Sequence, residues 1–205
     1  MSYYLRVLGK HDPDITVSAI KTHLKKSGIE IDIEVESGTE ERWEIISVSD
    51  AAGNPIAQLE RNSTEEEGSL GYEELAEFKE DITDEQPASA VQWLKQFFTE
   101  VKVIYAFQVL DFADDSQGWD ILDAIKTMLL TLTKGIDQAD NEGFSNEEGY
   151  HILWQFFNTV EGEWSMAVLD ENNKWVKFTM ELGNEEHRAA FRKGKVPEGV
   201  SPIKS

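Results

Sequence analysis

Four carboxylates occupy every second position of one short segment, Glu30, Asp32, Glu34 and Glu36, with isoleucine or valine between them. This period of two predicts a half-buried β-strand with one apolar face and one acidic face. Aligned carboxylates repel one another unless cross-strand partners or a basic ligand neutralise them. We therefore interpret the acidic face as a docking site for a basic protein partner.

The same carboxylates have a second interpretation. Charged side chains protect the edge of a sheet against pairing with another chain. Three basic residues of the chain, Lys10, Arg42 and Arg61, are candidates to neutralise the acidic face from within. The first interpretation requires a partner, whereas the second requires only water at a charged sheet edge.

A second group of acids, Asp111, Asp114 and Asp115, follows the most apolar of the predicted strands. Ligands favour the carboxyl ends of strands in open α/β sheets, so a metal-dependent hydrolase could hold its ion here. Aspartates ahead of a helix also cap its free N–H groups and complement its dipole. The sequence leaves metal binding and helix capping both open.

Other catalytic chemistries lack the residues that they need. The chain has no cysteine, which removes disulfides, thiol catalysis and cysteine metal sites. Its four histidines show no zinc-ligand spacing, and no phosphate-binding loop, dinucleotide fingerprint, nucleophile elbow or kinase motif is present. We predict no cofactor and favour a protein that is not an enzyme.

The elements that position these residues occur twice in the same order. The tetrapeptide Ala-Ile-Lys-Thr is found at residues 19–22 and 124–127, each time among apolar residues at helical spacing, which predicts a core-facing helix. Around each copy the sequence predicts a strand, a helix, three strands and a second helix. We interpret this order as a tandem duplication. The predicted fold is α+β, with two β-α-β-β-β-α units whose mostly antiparallel sheets carry helices on one side.

The predicted boundaries follow from this duplication. The first repeat covers residues 1–82, and the second covers residues 101–193. A connector helix is predicted within residues 83–100, and an extended tail within residues 194–205. The second repeat requires a strand at residues 150–157, which form an apolar and aromatic run.

A cleft between the two repeats would suit a small-molecule ligand, which gives an alternative function for the chain. Large aromatic side chains could line such a cleft, but they are also common in protein cores. The residues concerned are Trp43, Trp119, Trp154, Trp164 and Trp175.

The net charge narrows the choice of partner. The chain has 19 basic and 40 acidic residues, a net charge of −21. Nucleic acids and anionic membranes need cationic surfaces, so we predict neither as a partner. The sequence shows neither an apolar run of about 18 residues nor a signal peptide, which predicts a cytoplasmic location. The charge favours a basic partner, although it also serves solubility alone. The leading function is a non-enzymatic interaction protein, and the oligomeric state is left open.

Overall fold

The computed structural model describes residues 3–114, 116–157 and 159–203, without the side chains of Phe112, Asp114 and Ser116. The fold is α+β with mostly antiparallel strands, as the sequence predicted. The chain forms two compact units. Unit 1 consists of residues 1–74 and 101–135, and unit 2 consists of residues 75–100 and 136–205. No helix in the described ranges combines the length and apolar character of a membrane span.

The described residues form five helices and nine strands, and a 3₁₀ turn covers Asp111–Asp114. The helices are α1 (Val17–Lys26), α2 (Leu70–Asp81), α3 (Ala88–Phe97), α4 (Ser116–Thr133) and α5 (Glu185–Arg192). The strands are β1 (Tyr3–Gly9), β2 (Ile31–Gly38), β3 (Trp43–Asp50), β4 (Pro55–Ser63), β5 (Val103–Val109), β6 (Ile136–Ala139), β7 (Gly143–Phe144), β8 (Glu163–Leu169) and β9 (Trp175–Glu181).

The first five strands form the antiparallel sheet of unit 1, in the spatial order β2-β3-β4-β5-β1. Helices α1 and α4 pack against one face of this sheet and against each other. Both copies of Ala-Ile-Lys-Thr lie on these helices, and Ile20 and Ile125 of the two copies are fully buried. The prediction that the tetrapeptide marks core-facing helices is therefore confirmed.

Local interactions fix the position of α1 beside β2. The Thr16 hydroxyl caps the helix by accepting a hydrogen bond from the Ala19 N–H at 3.0 Å. The last turn carries basic residues, which complement the helix dipole. Gly28 then adopts a φ of 76°, a left-handed conformation that suits glycine at a helix end. Only a short turn therefore separates α1 from the start of β2.

The side chains of Arg61 and Trp43 fix the loop between β1 and α1 to the sheet. Arg61 of β4 places its Nη2 2.7 Å and its Nε 2.9 Å from Asp12 Oδ1. Trp43 of β3 donates from Nε1 to the carbonyl oxygen of Ile15 at 2.8 Å. The Trp43 ring also packs against the ring of Tyr105, with 5.6 Å between the ring centroids. The loop is thus held at one point by an ion pair and at another by an indole.

Tyr105 gives a pH prediction for unit 1. Burial raises the pKa of its hydroxyl to about 12, although Arg61 acts in the opposite direction. The folded state holds the Tyr105 proton more tightly than the unfolded state, so the protonated hydroxyl contributes to the free energy of unfolding. This contribution is complete below pH 10 and is lost between pH 10 and about 12. A pKa shift of this size corresponds to about 2–3 kcal/mol in the free energy of unfolding.

We expect the tyrosinate absorbance of the wild-type chain, minus that of the Tyr105→Phe variant, to rise with a midpoint near pH 12. Circular dichroism at each pH identifies the range in which the chain is folded. A difference midpoint near pH 10 in a folded chain would show that Tyr105 is accessible to solvent.

Unit 2 is built from two antiparallel hairpins, β6–β7 and β8–β9, with α3, α5 and the second half of α2. An apolar cluster of this unit includes Trp154, Phe156, Phe178 and Phe191, all of them buried. Asn184 caps helix α5, because its side-chain oxygen accepts hydrogen bonds from two backbone N–H groups of the first turn.

The strand predicted at residues 150–157 is wrong. Strands β6 and β7 follow α4, and in the 150–157 run only His151 forms isolated bridges, to Ser145 and Met166. The backbone N–H groups of the run donate to separate segments: His151 to Ser165, Ile152 to Phe144 and Trp154 to Gln86. Most of the apolar side chains are buried, but no single strand accepts their backbone bonds, so no ladder forms.

The C-terminal segment after α5 has no helix or strand through residue 203. It nevertheless packs against unit 2. Val196 and Val200 contact the apolar cluster, and the N–H of Ile203 donates to the Lys177 carbonyl oxygen at 2.7 Å. The segment, which turns at residues 193–194 and 198–199, is thus fixed to the unit by apolar contacts and a main-chain hydrogen bond.

The structure does not confirm the tandem duplication. The first half does contain the predicted order of elements, and α3 lies where a connector helix was predicted. Strand β5, however, was assigned to the second repeat, and it pairs with β1 on one side and with β4 on the other. Strands β1 and β4 both belong to the proposed first repeat, so β5 completes a sheet with that half of the chain.

Candidate functional site

The acidic residues singled out by the sequence lie at the outermost strand of the unit 1 sheet. Strand β2 ends the strand order and pairs with β3. Asp32, Glu34 and Glu36 are exposed on β2, while Glu30 is exposed immediately before its first residue. Ile33 of the opposite face is buried. The predicted acidic strand face is therefore present, and we call Glu30, Asp32, Glu34 and Glu36 the acidic edge.

Glu36 is held by uncharged donors from the neighbouring strands. The Ser47 hydroxyl of β3 donates to one carboxylate oxygen, and Gln58 of β4 donates from Nε2 to the other at 2.9 Å. A register shift between Val35 and Ser37 places Glu36 at a β-bulge. These bonds orient the Glu36 carboxylate without neutralising its charge.

Asp32 has a different environment. Its Oδ1 lies 3.2 Å from Nζ of Lys21 on α1, and the Asp32 side chain is 81 % exposed and that of Lys21 41 %. The same oxygen accepts a hydrogen bond from the N–H of Ile33 at 3.0 Å. An exposed ion pair of this kind contributes only about 0–1 kcal/mol, so a competing cation can replace Lys21 at little cost.

A groove of about 720 Å³ adjoins the start of β2. Its walls come from the end of α1, the first residues of β2 and the turn between β3 and β4, and they include Glu30, Asp32 and Asp50. The side-chain amide and backbone N–H of Asn54 donate to the Asp50 carboxylate and lower its pKa. Asp50 is therefore ionised at neutral pH, and it lines the groove together with Lys21 and Lys25.

The internal cations predicted for the acidic edge are partly wrong. Arg61 binds Asp12, and Arg42 lies 3.8 Å from Asp14, so both pair with the loop after β1 instead. Lys21, which was not among the predicted cations, pairs with Asp32. The short turn between a helix and the next strand is the signal that could have identified it, because such a turn places the end of the helix beside the start of the strand.

The proposed metal site is only partly within the described structure. Asp111 is exposed on the 3₁₀ turn, the side chain of Asp114 is not described, and Asp115 lies outside the described residues. Among the described residues, no group of three or more histidine or carboxylate side chains could hold a metal ion. Metal binding by these three aspartates stays a prediction.

The five tryptophans considered for a small-molecule site belong to different units. In unit 1, Trp43 is buried and Trp119 is half-buried, with its ring at 71° to that of Tyr3. In unit 2, Trp154 is buried in the apolar cluster, and Trp164 and Trp175 are half-buried. Burial excludes Trp43 and Trp154 as side chains that a ligand could reach in this conformation.

Comparison with known proteins gives no independent assignment, because no protein-family model, curated protein or solved structure matches the chain.

Proposed function

We propose that the chain is a non-enzymatic interaction protein whose acidic edge docks a basic segment of a partner protein. The observation that carries this proposal is the exposure of four carboxylates at alternating positions, three on the outermost strand of a sheet and one immediately before it. Charged groups that a partner can reach give specificity and faster association, whereas isolated surface ion pairs contribute little to folding.

The bonding of the carboxylates supports a partner rather than a purely internal role. Glu36 accepts hydrogen bonds from uncharged side chains, and Asp32 forms an ion pair with a partly exposed lysine. Like charges at alternating positions of one strand repel, and neither of these contacts removes the repulsion. A basic partner would relieve it, and the net charge of −21 would steer such a partner towards the chain.

The test compares two variants of equal net charge. The first, Asp32→Asn/Glu34→Gln/Glu36→Gln, neutralises the strand, and the second, Glu73→Gln/Glu77→Gln/Glu80→Gln, neutralises three exposed acids of α2. The probe is a capped oligolysine peptide, and the dissociation constant is measured at several salt concentrations. We expect the β2 variant to weaken binding roughly tenfold, because three ion pairs of about 0.5 kcal/mol each are lost.

The α2 variant is the matched control, and we expect it to leave the affinity within about twofold of the wild-type value. Equal losses in the two variants would show that the peptide responds to total charge alone. Unchanged affinity together with self-association of the β2 variant, measured by sedimentation, would show that the carboxylates only protect the sheet edge.

A further inference from the structure

The backbone of β2 offers a second kind of recognition beside its carboxylates. Because β2 ends the strand order, one row of its backbone groups faces away from β3. The N–H of Ile33 identifies this row, since it donates to the side chain of Asp32 rather than to a strand. Backbone groups alternate in direction along a strand, so the backbone groups of Ile31, Ile33 and Val35 share the outward side.

The length of this outward row is limited at both ends. The N–H of Ile29 donates to the carbonyl oxygen of Leu24 in α1, which ties the chain to the helix just before β2. The register shift after Val35 bends the strand at its other end. A segment pairing with residues 31–35 would therefore span about five residues, or roughly 17 Å at about 3.4 Å for each residue.

We infer that the basic segment binds as an additional β-strand along the outward row of residues 31–35. This inference rests on the proposed function and specifies how the partner binds. An added strand takes main-chain hydrogen bonds from an open sheet edge, and alternate side chains supply specificity. Many chains could pair with an open strand, but charge complementarity with the acidic edge favours a basic segment.

The sheet geometry dictates the pattern of the partner. Residues directly opposite each other on neighbouring strands project to the same face of a sheet. Partner residues opposite Asp32 and Glu34 therefore lie beside carboxylates, and lysine or arginine suits these positions. Residues opposite Ile31, Ile33 and Val35 lie on the face of apolar side chains. The partner segment accordingly alternates basic and apolar residues with a period of two.

Asp32 sets a condition for this pairing. Its carboxylate accepts a hydrogen bond from the N–H of Ile33, which is the central donor of the outward row. Strand addition requires the carboxylate to turn away, and a basic side chain opposite Asp32 supplies the cation that holds it in the turned position. A neutral strand lacks this cation, so the acidic edge admits basic strands and discriminates against others.

The experiment uses the full chain and three short capped peptides of equal charge. One alternates lysine and valine, one has the same composition with the lysines contiguous, and one is the alternating peptide with N-methyl groups on the backbone nitrogens that face β2. We expect the alternating peptide to bind roughly tenfold more tightly than the other two, the equivalent of about two main-chain hydrogen bonds. Amide hydrogen exchange at Ile31, Ile33 and Val35 should slow only when it is bound.

Each other outcome has a definite meaning. Equal affinities for the three peptides, with loss of binding in the β2-neutralised variant, would overturn strand addition and leave the proposed docking function standing. Strand addition would also be overturned if the alternating peptide bound most tightly but slowed amide exchange elsewhere in the chain. Absence of binding by every peptide at low salt would overturn the docking function as well.

Discussion

Replacing Trp43 by alanine should lower the free energy of unfolding of unit 1 by about 3–5 kcal/mol. The indole is 1 % exposed, so its removal leaves a large cavity in the core. The substitution also removes the hydrogen bond from Nε1 to the carbonyl oxygen of Ile15 and the contact with Tyr105. Urea denaturation followed by circular dichroism measures the change.

Trp119→Ala is the matched control, because Trp119 lies in the same unit and is only half-buried. We expect it to cost about 1–2 kcal/mol, in proportion to the smaller apolar area that it buries. A loss of only about 1–2 kcal/mol for Trp43→Ala as well would mean that Trp43 is not a core residue. Trp43 could then line a cleft that binds a small-molecule ligand.

Replacing Arg61 by alanine should cost about 2–4 kcal/mol, because it leaves the Asp12 carboxylate without its counter-ion in a mostly buried position. The side chain of Arg61 is 9 % exposed and that of Asp12 is 21 % exposed. Burial by itself lowers the pKa of Arg61, but the bond and the charge of Asp12 outweigh this effect and raise it. Asp12 is therefore the counter-ion of Arg61, and we expect the two side chains to act as a unit.

A double-mutant cycle separates the ion pair from packing. The variants are Arg61→Met, Asp12→Asn and the two combined. If the pair acts as a unit, the double variant should be less destabilised than the sum of the single variants by at least about 1 kcal/mol. Additive losses would mean that each side chain is held by other neighbours. None of these variants alters the acidic edge, so oligolysine binding should be unchanged in all of them.

The structure also shows which parts of the fold local sequence patterns determine. The alternation of apolar and acidic residues at positions 29–36 predicted β2 and its exposed acids, because a period of two indicates which face of a strand is buried. The spacing of Ile20 and Leu24 predicted the buried stripe of α1 for the same reason. Which side chains of a strand or helix are buried follows from the local pattern of apolar residues, and in this segment that pattern was sufficient to predict it.

Residues 150–157 show where local patterns are insufficient. Their apolar composition correctly indicated burial, since Ile152, Leu153 and Trp154 are buried. It could not indicate a strand, because strand formation depends on whether one neighbouring segment accepts successive backbone bonds, and here the acceptors lie on separate segments. The same limitation applies to β5. Its apolar run predicted a strand, but its position between β1 and β4 depends on contacts distant in the sequence.

The acidic edge was predictable in composition but not in its bonding. The sequence identified the four carboxylates, yet the pairing of Arg42 and Arg61 with the loop after β1 depends on the tertiary fold. The bulge at Glu36 and the bond between Asp32 and Ile33 also follow from strand pairing. These details separate a merely charged surface from an ordered edge with outward-facing backbone groups.

A basic segment that binds at the acidic edge should perturb β2 and its neighbour more than acidic residues elsewhere in the chain. Backbone amide chemical shifts of the isotope-labelled chain, titrated with the alternating lysine–valine peptide, measure this directly. We expect the largest changes within residues 30–36 and in the facing residues Ser47 and Ser49 of β3. Changes spread over the acidic residues 65–85, or changes absent from β2, would contradict binding at the acidic edge.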